Sequence, residues 1–149
     1  MPQRGNGSGF IQKNRSHGKD LPLDRPLHTK GAESEILKIL SGYALSSVLI
    51  HWYDGPADIL RALVDYGCYF TISPAILAEP NYKNLILQIP PDRLMPETDN
   101  PGTWPWYFQK KGQAEQIMEI YEAYSLICSK STTDIHIQFK ENLKRFLRL

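Results

Sequence analysis

Short apolar runs alternate with amphipathic helical patterns along this chain, and that alternation limits its fold more than any other feature. The runs at 47–51, 68–73 and 93–95 predict strands, and the proline-interrupted piece at 21–28 predicts a further extended segment. Continuous apolar runs of this length are typical of strands that are buried on both faces. Between them, residues 32–40 and 56–67 carry apolar side chains at helical spacing.

The pattern continues to the end of the chain with a helix predicted over 81–88, a long loop over 100–112, and helices over 113–127 and 133–147. Strands that alternate with helices favour a parallel sheet with crossover helices. The sequence therefore predicts an α/β fold for residues 21–149. Residues 1–20 are rich in Gly, Asn, Ser, Lys and Arg, and we expect them to form a disordered or irregular tail.

Composition limits the partners of the chain. The formal charge is +1 in 149 residues, so a global basic field is excluded and nucleic-acid binding would need a local patch. No segment reaches the ~18–20 apolar residues of a membrane span, and the first residues lack the apolar stretch of a secretory signal. We therefore expect no membrane contact and a cytoplasmic location.

Three potential metal ligands follow predicted strands. His28 ends the first extended piece, His51 ends the run at 47–51, and Asp99 follows the run at 93–95. Ligands in parallel α/β folds collect at the carboxyl ends of strands, and imidazoles with a carboxylate commonly bind zinc or a similar divalent ion. Position alone leaves two alternatives open, because such a histidine can be a hydrogen-bonded structural residue and the aspartate can cap a turn.

The residues around these positions carry a more specific signal. The segments are His28-Thr29-Lys30-Gly31-Ala32, His51-Trp52-Tyr53-Asp54-Gly55 and Ile89-Pro90-Pro91-Asp92-Arg93-Leu94-Met95-Pro96-Glu97-Thr98-Asp99-Asn100-Pro101. They resemble three motifs of the TatD family of metal-dependent hydrolases, in the same order. The stretch at 66–73 and the Asn142-Leu143-Lys144-Arg145-Phe146 segment are similar to a strand and the closing helix of that family.

The resemblance implies a TIM-type (β/α) barrel that binds two divalent ions (Zn, Mg or Mn) and hydrolyses phosphodiester bonds of DNA with a metal-activated water. On the family pattern, His28 and His51 bind one ion and Asp99 binds the other. Glu97 matches a family position too, and we expect it to support a ligand or to position the strand. No side chain is assigned as catalytic from the sequence.

The resemblance covers only the later strands of the family barrel, which needs ~250 residues. Its first-strand His-x-His pair and its bridging glutamate have no counterpart among these 149 residues. We therefore expect a partial barrel that is truncated on its N-terminal side and is either inactive alone or completed by another chain or by self-association. The alternative function is a catalytically inactive barrel fragment that serves as a binding or assembly subunit.

Aromatic and basic residues near the predicted site allow two interpretations. Trp104, Trp106, Tyr107 and Phe108 lie in the predicted loop, and Lys110 and Lys111 follow them. Aromatic side chains with cations can stack bases and hold phosphates, but a loop that packs over the barrel with solvated lysines is the preferred interpretation. The same ambiguity holds for Trp52 and Tyr53, and Lys30 either faces a phosphate or is an ordinary exposed lysine.

Overall fold

A computed structural model describes residues 26–45 and 47–149, and within these ranges four short strands form one parallel sheet. The strands are β1 (Pro26–His28), β2 (Leu49–His51), β3 (Tyr69–Ile72) and β4 (Leu94–Pro96), and they lie in chain order. Each strand is parallel to its neighbour. The predicted α/β alternation is confirmed, while the predicted tail and residues 21–25 lie outside the described ranges.

Helices connect and follow the strands. They are α1 (Glu33–Ser41), α2 (Ala57–Tyr66), α3 (Pro80–Ile86), α4 (Thr103–Phe108), α5 (Ile117–Cys128) and α6 (Thr132–Leu147). Short 3₁₀ turns occupy Pro74–Leu77, Pro91–Arg93 and Ala114–Gln116. In the described ranges, no helix has both the length and the apolar character that a membrane span requires.

Helix α2 shows how local sequence sets the boundaries of an element. Pro56 is extended immediately before the helix. Asp58 places a negative charge in the first turn, where it interacts favourably with the positive end of the helix dipole. Leu60 and Leu63 are buried on one face. Gly67 ends the helix with φ of +101°, a left-handed conformation that glycine adopts without a Cβ penalty. The predicted stop at Gly67 is confirmed, whereas the predicted start is one residue early because Pro56 precedes the helix.

The segment at 100–112 differs from its prediction, because α4 forms within the expected loop. Its sequence has no helical apolar period, so the periodicity criterion does not detect it. Pro105 lies in the first turn, where a missing backbone N–H breaks no helical hydrogen bond. Trp104 is fully buried against the core, and this tertiary contact stabilises the helix.

Alternating side chains of the sheet enter two apolar layers. On one face, Ile50, Phe70 and Leu94 belong to the large core that the helices cover, together with Leu60, Leu63, Ile120, Tyr124, Ile135 and Phe139. On the other face, Tyr69 and Met95 pack with Phe146 of α6 and with Leu49. Because strand side chains alternate, His51, Thr71 and Glu97 follow on this second face, at the carboxyl end of the sheet.

Candidate metal centre at the carboxyl edge of the sheet

His28 and His51 lie side by side because they end adjacent parallel strands in register. Their ring centroids are 4.3 Å apart. Within the described ranges, no side chain hydrogen-bonds to the His28 ring, which is largely exposed. The strand-end prediction is therefore correct for this pair, and the register itself accounts for their proximity.

His51 lies between two carboxylates that arrive from beyond β4. Its Nδ1 is 2.7 Å from Glu97 Oε2, and its Nε2 is 3.5 Å from Asp99 Oδ1. The hydrogen bond with Glu97 raises the pKa of His51 above its ordinary value, and the charges of Glu97 and Asp99 act in the same direction against the effect of burial. In the neutral ring, a proton on Nδ1 donates to Glu97 and leaves the Nε2 lone pair facing Asp99.

Glu97 has one carboxylate oxygen with no partner among the described residues. Oε2 binds His51, whereas Oε1 is buried and accepts no hydrogen bond from any described residue. The backbone N–H of Glu97 donates to Ile72 O at 3.0 Å, which fixes the residue beside the end of β3. A buried acceptor without a donor is unfavourable by about 1–3 kcal/mol, so this oxygen needs a cation or a water molecule.

Asp99 is oriented by the beginning of α4. The Thr103 hydroxyl donates to Asp99 Oδ2, and the Thr103 backbone N–H donates to Asp99 O at 3.3 Å. One carboxylate oxygen is thus held by Thr103 while the other faces His51. Sequence reasoning missed Thr103, although a threonine four residues after a candidate ligand was a usable signal.

Thr71 is a second supporting residue that the sequence did not indicate. Its hydroxyl accepts a hydrogen bond of 2.9 Å from the backbone N–H of Trp52, the residue that follows His51. Thr71 is buried in β3, between the strand that carries His51 and the strand that leads to Glu97. This bond connects two neighbouring strand ends, and only the folded sheet brings the two groups together.

Two of the three predicted ligands, His51 and Asp99, are spaced as if they shared one divalent ion, whereas the family resemblance assigns them to separate ions. Two atoms bound to one tetrahedral zinc at ~2.0–2.1 Å lie roughly 3.3–3.4 Å apart, close to the 3.5 Å between His51 Nε2 and Asp99 Oδ1. A histidine whose other nitrogen donates to a carboxylate is the usual arrangement around a protein-bound metal. However, residues 26–45 and 47–149 contain no group of three or more His, Cys, Asp or Glu side chains placed to hold one ion.

A comparison with protein families matches residues 15–148 to the model described as TatD related DNase. The chain belongs to the TatD family. This family of metal-dependent hydrolases and deoxyribonucleases is the one that the motifs at His28, His51 and Asp99 resemble, so the family prediction is confirmed.

Individual TatD relatives agree with this assignment. The chain is 29% identical over 126 residues to tatdn3-B of Xenopus laevis, a match that covers 84% of this chain and 49% of that protein. It is 27% identical over 144 residues to the uncharacterized metal-dependent hydrolase YabD of Bacillus subtilis (strain 168), covering 88% and 53%.

The fold agrees with a solved TatD structure. The crystal structure of YjjV, a TatD homologue from Escherichia coli K12, superposes with a TM-score of 0.73 at 17% identity and covers 83% of this chain and 49% of that one. The predicted partial TIM-type barrel is therefore confirmed. The chain spans about half the length of these three TatD proteins.

The aromatic residues near the TatD motifs divide into two groups. Trp104 is buried and its Nε1 donates to Thr98 O at 3.0 Å, while Phe108 packs on its ring. Tyr53 is also buried, and its hydroxyl donates to Pro56 O. These three side chains follow the packing interpretation. Trp52, Trp106 and Tyr107 instead line an open cleft beside the predicted ligands.

Lys30 is exposed and is already paired. Its Nζ lies 2.6 Å from Asp54 Oδ2 and 5.7 Å from the centroid of the Trp52 ring. Lys30 is exposed, as one of its two alternatives expects. Its contact with a phosphate, the other alternative, stays a prediction. An exposed pair of this kind contributes little to stability, but it does hold the ammonium group over the Trp52 ring.

Proposed function

We propose that this chain supplies His28, His51 and Asp99 to a metal-dependent hydrolytic site of the TatD type that cleaves phosphodiester bonds of DNA. The observation that carries the proposal is the position of His51: Glu97 holds its Nδ1, and its Nε2 faces Asp99 beside the His28 ring. Membership of a family described as TatD related DNase supports the substrate class.

Each residue of the candidate site has a defined part in this proposal. His28 and His51 would donate ring nitrogens to Zn²⁺, Mn²⁺ or Mg²⁺, and Asp99 would donate the oxygen that faces His51. A bound ion supplies Lewis acidity, which polarises a phosphoryl oxygen and increases the acidity of a water molecule. Glu97 orients His51 through Nδ1, and Thr103 orients Asp99 through Oδ2.

Metal uptake and nuclease activity test the proposal. We expect the purified chain to bind Mn²⁺ or Zn²⁺ in calorimetric titration and to hydrolyse single-stranded DNA when that ion is present. His51→Ala should lose both properties, because it removes a ligand and leaves Glu97 and Asp99 without their shared partner. His136→Ala is the matched control, since His136 is exposed on α6 and stacks on Tyr121. No uptake and no hydrolysis, or equal losses in the control, would contradict the proposal.

A second candidate function has its own observation. The described residues supply only part of a metal-ligand set. In addition, β1 and β4 are the outer strands of the described sheet, and each has one edge that pairs with no other described strand. Unpaired edges can bind further strands. This arrangement favours a non-catalytic binding or assembly subunit, or a site that a partner chain or a second copy completes.

Sedimentation velocity separates these possibilities. Association that raises both the sedimentation coefficient and the metal content would support completion by another copy. Association without metal uptake would support the assembly role. A monomer that binds metal and hydrolyses DNA at every protein concentration would exclude this second candidate.

A further inference from the structure

A cleft of about 380 Å³ opens beside the candidate metal centre. Its walls come from the segments that follow all four strands, with Lys30 after β1, Trp52 and Asp54 after β2, Glu79 after β3, and Trp106 with Tyr107 after β4. The volume is within the range of ligand pockets, which is ~300–1,000 Å³. The Trp52 ring is 6.5 Å from the His51 ring, so the cleft is adjacent to the predicted ligands.

Three aromatic rings form a continuous row along the cleft. The Trp52 and Tyr107 centroids are 6.3 Å apart, and those of Tyr107 and Trp106 are 5.1 Å apart. Trp106 is 73% exposed. A tryptophan this exposed leaves a large apolar surface in water, and aromatic side chains of this kind are enriched where proteins bind partners.

Polar contacts position two of the three rings, those of Tyr107 and Trp52, and Trp106 packs on Tyr107. The Tyr107 hydroxyl donates to Glu79, and Lys30 is held over Trp52 by Asp54. Burial and the bond to Glu79 raise the pKa of Tyr107 to about 12, so this hydroxyl keeps its proton at neutral pH. Rings that are already fixed lose little conformational freedom when a ligand stacks on them.

The charges of the cleft select against a phosphate and for an uncharged flat group. Among the described residues that line the cleft, Lys30 is the one basic side chain and Asp54 and Glu79 are the acidic ones, and Lys30 is paired with Asp54. The described lining therefore offers no unpaired positive charge to an anion. A nucleobase presents a neutral π face, and stacking on aromatic side chains is how proteins hold unpaired bases.

We infer that the cleft lined by Trp52, Tyr107 and Trp106 is a stacking subsite for a nucleobase of single-stranded DNA. The inference rests on the proposed function, because a base stacked here keeps its neighbouring phosphodiester beside His51. Duplex DNA does not fit this role, since its bases are stacked on one another. The subsite therefore selects single strands through their bases, while the metal centre acts on the backbone.

Binding in the presence of EDTA tests the inference without hydrolysis. The probe is a fluorescein-labelled single strand of about ten nucleotides, compared by anisotropy with an abasic strand, a duplex and a free mononucleotide. Trp106→Ala should weaken binding of the single strand roughly 5- to 150-fold, because stacking of one base on an aromatic ring contributes ~1–3 kcal/mol. Binding of the abasic strand should change little, and Trp106→Phe should keep most of the affinity.

Tyr43→Ala is the matched control, because Tyr43 is an aromatic residue that is 54% exposed and does not line the cleft. Four results would overturn the inference: no binding by the unaltered chain, equal binding by Trp106→Ala, equal loss in Tyr43→Ala, or equal binding of the abasic strand or the duplex. A mononucleotide that binds as tightly as the strand would assign the cleft to free nucleotides instead.

Failure of the inference can be separated from failure of the proposed function. Binding that depends on Trp106 without any metal-dependent hydrolysis would remove the proposed reaction and leave the subsite in place. Hydrolysis that depends on His51, together with DNA binding that Trp106→Ala does not change, would remove the subsite and leave the reaction. Circular dichroism of each variant checks that the fold is intact.

Discussion

Asn142 of α6 connects the last helix to the strand that leads to the candidate site, and Asn142→Ala should destabilise the chain strongly. The side chain is fully buried. Its Nδ2 donates to Pro91 O and to Leu94 O, both at 2.7 Å. Its Oδ1 accepts from Gln138 Nε2 at 2.9 Å and from Arg145. One amide therefore binds the segment that enters β4 and two side chains of its own helix.

The magnitude follows from what the substitution leaves behind. Leu94 is buried, so its carbonyl would lose its Asn142 donor where water has little access, at about 1–3 kcal/mol. Pro91 is exposed, and water can replace the donor to its carbonyl. A small cavity in place of the amide adds to the loss. We expect a decrease in the free energy of unfolding of about 2–4 kcal/mol.

Urea unfolding followed by circular dichroism measures this decrease. Asn142→Asp is a second variant, and it should be at least as destabilised because a carboxylate would face two carbonyl oxygens. Lys140→Ala is the control on the same helix, since Lys140 is exposed, and surface changes of this type stay within about 0.5 kcal/mol. A loss below 1 kcal/mol for Asn142→Ala, or similar losses in Asn142→Ala and Lys140→Ala, would refute the reasoning.

Two further predictions concern His51 and Gly67. The pKa of His51 is raised in the folded chain. When a chelator keeps metal away, the contribution of His51 to the free energy of unfolding should be complete below pH ~6.5 and should be lost as the pH rises through its pKa in the folded chain. Glu97→Gln should lower the pKa of His51 in an NMR titration and weaken metal binding about 10- to 100-fold. The control Glu115→Gln, at an exposed position, should change neither. An unchanged His51 pKa in Glu97→Gln would contradict the role of Glu97 as the partner of His51. Gly67→Ala should lower the free energy of unfolding by about 1–2 kcal/mol in thermal unfolding, because φ is +101°, a conformation that alanine adopts only with strain. The added Cβ itself would meet no neighbouring atom. Gly102→Ala, at φ of −77° with equal space, should be nearly neutral, and equal losses would show that φ is not the cause.

The sequence predicts the positions of His28 and His51 well because both depend on local patterns. An apolar run that ends in histidine specifies a strand end, and parallel pairing then brings two such ends together. The contacts of Glu97 and Thr71 are different. They join the ends of β2, β3 and β4, and no periodicity in one strand reports on its neighbour.

The last helices show the same limit. The spacing of Ile117, Met118, Ile120 and Tyr121 predicts that these four side chains face inward on α5, but Met118 is 46% exposed while Ile120 is buried. Periodicity fixes which residues share a helix face, whereas the width of the buried stripe depends on what packs against it. Helix α4 was missed because its stability comes from the burial of Trp104 rather than from a repeated pattern.

Two residues of the candidate site hold left-handed backbone conformations that non-glycine residues seldom adopt. Trp52 has φ of +40° and Asp99 has φ of +49°. Each such residue costs about 1–3 kcal/mol and persists only when its surroundings fix it. The Thr71 hydroxyl fixes the Trp52 N–H, and Thr103 fixes Asp99 through both its side chain and its backbone.

These conformations turn the chain immediately after His51 and at Asp99. The turn at Trp52 brings its ring to the cleft, and the turn at Asp99 aims Oδ1 at His51 while α4 begins four residues later. The same two backbone features therefore shape the candidate metal centre and the aromatic row beside it. Thr71→Val, which removes the hydroxyl and keeps the shape, should consequently weaken both His51-dependent metal binding and Trp106-dependent DNA binding. Loss of one property without the other would show that the two sites are positioned independently.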